Sequence, residues 1–200
     1  MLDLSKSHAY SNWAKERIEE MNATLVALEK QARKLNPVHQ AKGDKLLAEL
    51  KKRRDEFAAA VKKQAEAGEA AWERAKPELE SQWKSFEVQL TAYFDAMGKQ
   101  VGQHLDTFGD VAAAQVKAWR DAAEKFAASA DKLAADKRPG IDAAIKHMKV
   151  EAAEMEARMN KLKHAGDQSW SAFSAALAQS RRAFDKANQK TWDALRRAAG

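Results

Sequence analysis

Residues 72–123 read WERAKPELESQWKSFEVQLTAYFDAMGKQVGQHLDTFGDVAAAQVKAWRDAA, and their apolar positions recur every eleven residues. The repeat begins at Trp72, Trp83, Phe94, Leu105 and Val116. Three residues after each come Ala75, Phe86, Met97, Phe108 and Trp119, and seven after each come Leu79, Leu90, Val101, Ala112 and Ala123. Eleven residues make three helical turns at about 3.67 residues per turn, so these positions form one apolar stripe on a helix. Such a stripe must be covered by another helix, a second copy of the chain or a lipid surface.

The composition favours helices throughout the chain. Charged residues make up 32% of the 200 residues, above a globular average of about 25%, and only three prolines and eight glycines interrupt them. No segment alternates over the length of a strand, so the predicted class is all-α. The net charge of +6 is spread among interleaved acids and bases and allows only weak attraction to anionic surfaces. Without cysteine there is no disulfide framework and no thiolate chemistry.

No segment of the sequence predicts secretion or a membrane span. The first residues lack the basic and then apolar arrangement of a secretory signal. No run of about 18 apolar residues occurs, which a spanning helix would need. We therefore expect a cytoplasmic protein.

Two turns are predicted outside the central stripe. A first helix stops at Asn36, because the residue before Pro37 is pushed out of helical geometry, and Asp44 is a candidate N-cap after a short connection over residues 38–43. A second stop lies at residues 137–140 (Lys, Arg, Pro, Gly), after which Asp142 is the candidate N-cap. The last helix continues the apolar pattern through Trp170, Phe173, Phe184 and Trp192.

The chain matches itself when it is shifted by 98 residues, which predicts an internal duplication. The clearest match sets Ala67, Gly68, Glu69 and Trp72 against Ala165, Gly166, Asp167 and Trp170. The stripe keeps its phase across Pro77 and the later glycines, which favours one bent helix. The predicted architecture is a long antiparallel coiled coil of two helical hairpins, residues 1–97 and 98–200, that share one central helix. That helix would have roughly 95 residues and a length of about 140 Å.

Two other arrangements fit the same pattern. A break of the central helix at Gly98 and Gly102 would give two hairpins that pack as a four-helix bundle. Further breaks at Gly68 and Gly166 would give two three-helix units. Glycine weakens a helix at each of these positions by roughly 1 kcal/mol relative to alanine.

Residues from about Tyr10 to Ala96 resemble a family of small bacterial stress-associated coiled-coil proteins. Three segments carry the resemblance: an opening helix around Trp13 and Leu25, a basic segment from Leu46 to Glu56, and the Ala67–Trp72 motif with Trp83 after it. The resemblance implies a cytoplasmic, non-enzymatic helical protein. A weaker resemblance at residues 116–130 and 170–187 is to phasins, which coat polyester storage granules.

No constellation of side chains predicts catalysis, a cofactor or a metal. His147, Glu151 and Glu154 share one helix face, but the di-iron pattern needs Glu-x-x-His, which is missing, so exposed ion pairs are expected. The basic run of Lys51, Lys52, Arg53 and Arg54 is interleaved with acids and predicts a solvated face, as do Arg181 with Arg182 and Arg196 with Arg197. Nucleic-acid binding is therefore not expected.

The tryptophans favour a helical core, because all of them except Trp13 lie on stripes that also hold Leu and Phe. The predicted interaction stripe consists of Trp72, Leu79, Trp83, Phe86, Leu90, Phe94, Met97, Leu105, Phe108, Trp119, Trp170, Phe173, Phe184 and Trp192. The predicted function is a stress-associated, non-enzymatic helical interaction or scaffold protein that acts by helix–helix association, either with a second copy of itself or with a partner helix. The alternative is a phasin-like or apolipoprotein-like coat on a lipid or polyester granule surface.

Overall fold

Six α-helices, joined by short connections, make up almost all of the described chain. The computed structural model describes residues 8–34, 37–67, 69–97, 101–164 and 170–199. The helices are α1 (His8–Ala32), α2 (Pro37–Ala67), α3 (Glu69–Met97), α4 (Val101–Ala130), α5 (Pro139–His164) and α6 (Trp170–Ala199), with a 3-10 turn at Ala135–Lys137 before α5. The described residues contain no strand, so the all-α class is confirmed.

Two helices begin at prolines. Pro37 starts α2 and Pro139 starts α5, where the missing N–H would have had no helical partner. The predicted connection over residues 38–43 and the N-cap at Asp44 are therefore wrong. The N-cap predicted at Asp142 is wrong as well, because α5 begins at Pro139 and Asp142 lies inside its first turn. A carboxylate there is stabilised by the positive end of the helix dipole.

The prediction of a single long central helix is also wrong. The segment predicted to form it contains three helices, α2, α3 and α4. Since α2 and α3 pack side by side along their lengths, the chain reverses direction between them. The longest helix, α2, has 31 residues and therefore a length of about 46 Å, a third of the expected rod. Burying an apolar face against a neighbouring helix outweighs the continuity of one stripe when glycines weaken the junctions.

The six helices agree in number with the arrangement of two three-helix units. The ends of α1 and α4, Ala32 and Ala130, differ by the 98 residues of the sequence match. Pro77 lies inside α3, so the helix continues through it as the phase of the stripe predicts. The breaks predicted at Gly68 and Gly166 lie outside the described residues, and the duplication stays a prediction.

Three helices have three main neighbours each: α1 contacts α2, α4 and α6, α4 contacts α1, α5 and α6, and α6 contacts α1, α4 and α5. α2 is joined to α1 through an ion pair between Lys51 and Glu29 at 2.6 Å, and α4 and α5 are joined by Arg120 and Glu156 at 2.7 Å. One apolar core extends through all six helices. Its largest fully buried side chains include Met21, Phe57, Phe86, Trp119, Met148 and Phe184. Because α1 is covered on several sides, its polar residues are buried together with its apolar ones.

Candidate functional site: a buried polar network

A row of polar side chains follows α1 through the interior of the bundle. Asn12, Glu16, Glu20 and Thr24 are spaced four residues apart, so they lie on one face of the helix. All four are buried, as is Arg17 beside them. We call this row and its partners on α3, α4 and α6 the buried polar network. Buried charged groups of this kind require partners, and the other helices supply them.

Glu20 is the best satisfied carboxylate of the network. Arg181 of α6 donates from Nη2 to Glu20 Oε1 at 2.8 Å and from Nε to Oε2 at 3.0 Å. Gln115 of α4 donates to the same Oε2 at 2.6 Å, and Arg181 also pairs with Glu87 of α3. Arg181 therefore ties together three helices, and its two-pronged contact with Glu20 fixes the geometry as only arginine can.

Arg17 forms the second centre of the network. It pairs with Glu16 and donates to Asp185 of α6 at 2.9 Å. Its guanidinium carbon lies 5.2 Å from the ring centre of Trp13 and 5.4 Å from that of Trp83. Arg181 lies 4.9 Å from Trp83 as well, so one indole ring faces both cations. These cation–π contacts stabilise charges that water does not reach.

Neutral hydrogen bonds extend the network towards both ends of α1. Asn12 donates to Asn188 of α6 at 3.3 Å, and Asn188 donates to the Ala9 carbonyl at 2.6 Å. Near the other end, Gln31 donates to Thr107 of α4. The polar contacts of α1 thus extend over most of its length, and they hydrogen-bond to specific residues of α4 and α6.

The charges of the network do not balance. Four carboxyl groups, those of Glu16, Glu20, Glu87 and Asp185, share two guanidinium groups. Burial raises the pKa of Glu16 to about 7, although Arg17 opposes the shift, and burial likewise raises the pKa of Asp185. Desolvation lowers the pKa of Arg181, but Glu20 and Glu87 outweigh it, so both arginines stay charged. Glu16 Oε1 and Asp185 Oδ1 have no hydrogen-bond partner, which fits an excess of negative charge.

Replacing Glu16 by glutamine is expected to remove part of the pH dependence of folding. The pKa of Glu16 is higher in the folded chain than its ordinary value of 4.5, so its contribution is complete below pH 4.5 and is lost as the pH rises through about 7. Glu16→Gln should therefore gain stability relative to the wild type by on the order of 2–3 kcal/mol between about pH 5 and pH 8. Urea unfolding of both proteins across this range measures the difference.

Glu49→Gln is the matched control, because Glu49 is exposed on α2. Its unfolding midpoint should follow that of the wild type at every pH. A Glu16→Gln variant whose stability also runs parallel to the wild type would show that the Glu16 carboxyl is already ionised in the folded chain.

The predicted interaction stripe lies inside the bundle. The buried members are Trp72, Leu79, Trp83, Phe86, Leu90, Phe94, Phe108, Trp119, Phe173, Phe184 and Trp192. The side chains of Met97, Leu105 and Trp170 lie outside the described part of the chain. Aromatic contacts join different helices, as in the stacked pair of Phe108 and Phe173 with ring centres 4.1 Å apart. Four tryptophans of the predicted stripes, Trp72, Trp83, Trp119 and Trp192, therefore fill core positions as predicted, and Trp13, which lies outside those stripes, is buried as well. The role of the stripe in association stays a prediction.

Arg181 corrects one sequence prediction. It was expected on a solvated face with Arg182, yet it is buried while Arg182 is exposed. The sequence does indicate the burial of Arg181, since this residue lies four positions after Leu177 and three before Phe184, on the apolar side of α6. Glu16 and Glu20 gave no comparable signal, because acids on a helix are usually solvated.

His147, the histidine considered as a metal ligand, lies on the surface of α5. Its Nδ1 is 3.8 Å from Oε1 of Glu151, which is partly buried. Among the residues that the structure describes, no three His, Asp or Glu side chains converge as metal ligands. Nor is any described helix long and apolar enough to cross a membrane.

Comparisons of the chain with protein-family models, with curated proteins and with solved structures give no match. The resemblances to stress-associated coiled-coil proteins and to phasins therefore stay predictions. What can be said about function comes from the buried polar network and from the charge on the helices.

Proposed function

We propose that the chain is a non-enzymatic helical interaction protein that acts by helix–helix association, as a scaffold or spacer. The observation that carries the proposal is the buried polar network, in which Glu20 of α1 accepts from Gln115 of α4 and Arg181 of α6, and Arg181 pairs in addition with Glu87 of α3. Apolar contacts are non-directional, whereas a buried carboxylate accepts only a helix that brings donors to the right place. Such groups select the partner and the register of a helix at some cost in stability.

The network specifies what a helix must carry in order to pack on α1. Glu20 requires a two-pronged donor such as Arg181, and Asn12 requires an amide such as Asn188, seven residues further along α6. Seven residues are two turns, so both groups face α1 from one side of the helix. A helix with this pair, from a second copy of the chain or from another protein, meets the same requirements as α6.

The closed bundle offers little apolar surface to a partner. Among the described residues, the exposed large apolar side chains are Val26, Val88 and Val150, each on a different helix. Isolated exposures of this kind are normal for a soluble surface and do not form a docking patch. Association through the aromatic stripe therefore requires that a helix separates from the bundle and is replaced, as in domain swapping.

Replacing Arg181 by lysine tests this role. Lysine keeps the charge but loses the two-pronged contact with Glu20, so α6 is held less firmly while no carboxylate is left wholly without a cation. In an exchange between identical variant chains the same weakened contact would form again, so the test adds a peptide of wild-type residues 170–199. We expect the fraction of chains that bind this peptide to rise about tenfold for each 1.4 kcal/mol by which the closed form of the variant is weakened. Sedimentation equilibrium over a concentration series measures this fraction against the monomer mass of 22.2 kDa.

Arg182→Lys serves as the control, since Arg182 is exposed on the next position of α6. It should associate as the wild type does. The proposal fails if both variants and the wild type sediment as monomers at every concentration and also leave candidate helices with the Arg181 and Asn188 pattern unbound.

A further inference from the structure

The exposed charges of α6 all have one sign. Its exposed charged side chains are Arg182, Lys186, Lys190, Arg196 and Arg197. The two acids of the helix are partly buried, and each already accepts a hydrogen bond from another side chain. Asp185 accepts from Arg17, and Asp193 accepts from Gln189 at 3.1 Å. None of the five basic side chains forms an ion pair within the described residues. We call these five residues the α6 basic face.

The exposed charged residues of α2, α3, α4 and α5 include both acids and bases on each helix, and several of these bases pair with nearby acids. Lys117 lies 2.9 Å from Asp121 on α4, and Arg120 lies 2.7 Å from Glu156 of α5. On α2, Lys51 pairs with Glu29. The sequence prediction of a polar surface that mixes acids and bases therefore describes these helices, whereas it is wrong for α6.

The α6 basic face is directly opposite an apolar face. At 3.6 residues per turn, the five basic positions fall within about a third of the helix circumference. Phe173, Leu177, Phe184, Trp192 and Leu195 occupy the other side and are buried in the core. Because the apolar face packs in the core, the basic face is the side that this 30-residue helix presents to solvent in the closed bundle.

A groove between α5 and α6 adds a recess beside these charges. It has a volume of about 410 Å³, and Arg182, Lys186 and Lys190 line one side of it. Ala183 and Ala187 of α6 are small, so the groove is open, and His147 and Glu151 of α5 border it opposite. Three cations spaced four residues apart along a groove can each meet the phosphate of a separate headgroup.

We propose that the α6 basic face docks the closed bundle onto an anionic lipid bilayer. Among the side chains of α6 that the structure describes, no exposed one is aromatic, and a single-stranded nucleic acid would need such a ring for its bases to stack on. Five cations without ion-pair partners among the described residues lie along one face of one helix, and each basic residue on such a face adds affinity for a plane of negative headgroups. The docking goes beyond helix–helix association and, unlike a surface coat, does not require the helices to separate.

The test is co-sedimentation of the full chain with vesicles of phosphatidylcholine alone and of phosphatidylcholine mixed with phosphatidylserine. The variant Arg182→Gln, Lys186→Gln, Lys190→Gln removes three charges from the α6 basic face. The matched control Lys52→Gln, Lys62→Gln, Lys63→Gln removes three exposed charges from α2. Each charge removed from a docking face should cost about fivefold in partitioning, so we expect about a hundredfold loss for the α6 variant and a much smaller one for the control.

Binding that requires phosphatidylserine, weakens with added salt and is lost in the α6 variant alone supports the proposal. Equal loss in both variants would show a general charge effect and overturn it. Equal binding to both kinds of vesicle would also overturn it, since an apolar coat does not need anionic lipid. Preferential binding of a DNA duplex to the wild type, with no vesicle bound, would replace the lipid by a nucleic acid.

Discussion

Replacing Arg181 by methionine is expected to lower the free energy of unfolding by about 3–5 kcal/mol. Methionine fills a similar volume but leaves Glu20 with Gln115 as its remaining donor from another helix, and it leaves Glu87 without Arg181. The cost is that of burying an uncompensated charge, and it exceeds any net benefit of the ion pair itself. Urea unfolding followed by circular dichroism measures the change.

The neighbouring substitution Arg182→Met is the control. Arg182 is exposed, so the same change of residue type should alter stability by about 0.5 kcal/mol or less. A double substitution, Glu20→Gln with Arg181→Met, should recover part of the loss, because it removes the unpaired charge together with its partner. Equal effects of Arg181→Met and Arg182→Met would mean that the buried polar network does not form.

Replacing Trp119 by alanine is expected to cost about 3–5 kcal/mol, the largest effect among the stripe residues. Trp119 is 1% exposed and packs on Phe184 of α6 with ring centres 5.1 Å apart. Its truncation would leave a large cavity between α4 and α6 that the two helices can only partly close. The midpoint of thermal or urea unfolding reports this loss.

Trp119→Phe separates the volume of the side chain from its polar atom. The indole N–H of Trp119 has no hydrogen-bond partner, so phenylalanine removes an unsatisfied donor and keeps much of the ring. We expect this variant to cost less than about 1.5 kcal/mol. If Trp119→Ala proved as stable as the wild type, Trp119 would not be a core residue and the stripe would be open to an outside partner.

The apolar pattern predicted the class of fold and most of the core, but it could not predict how many helices share the pattern. Each helix of a bundle carries its own stripe, and α3 and α4 can keep a common phase whether or not they are one helix. Phe94 and Phe108, on these two helices, lie with ring centres 5.8 Å apart in one core. The reversal between α2 and α3 depends on which surfaces pack, and the sequence pattern alone does not contain that information.

Most residues of the buried polar network could not be predicted from the sequence either, because their burial depends on how the helices pack. Arg181 and Arg182 are identical in type and adjacent in sequence, yet one is buried and the other exposed. Helical phase distinguishes them once α6 is known to face the core through Leu177 and Phe184. Glu16 and Glu20 are buried only because α1 is surrounded, and that follows from contacts with helices more than ninety residues away.

The distance along the chain between Glu20 and Arg181 has a consequence for synthesis. The two residues are separated by 161 positions, so at about 5–20 residues per second the ribosome makes α1 roughly 8 to 30 s before its arginine partner. During that interval the charged face of α1 stays hydrated, which delays its burial until α6 emerges. Glu16 and Glu20, which are costly to bury in the folded bundle, would thus keep α1 hydrated in the nascent chain. Stable packing of α1 would wait for the synthesis of α6, which carries Arg181.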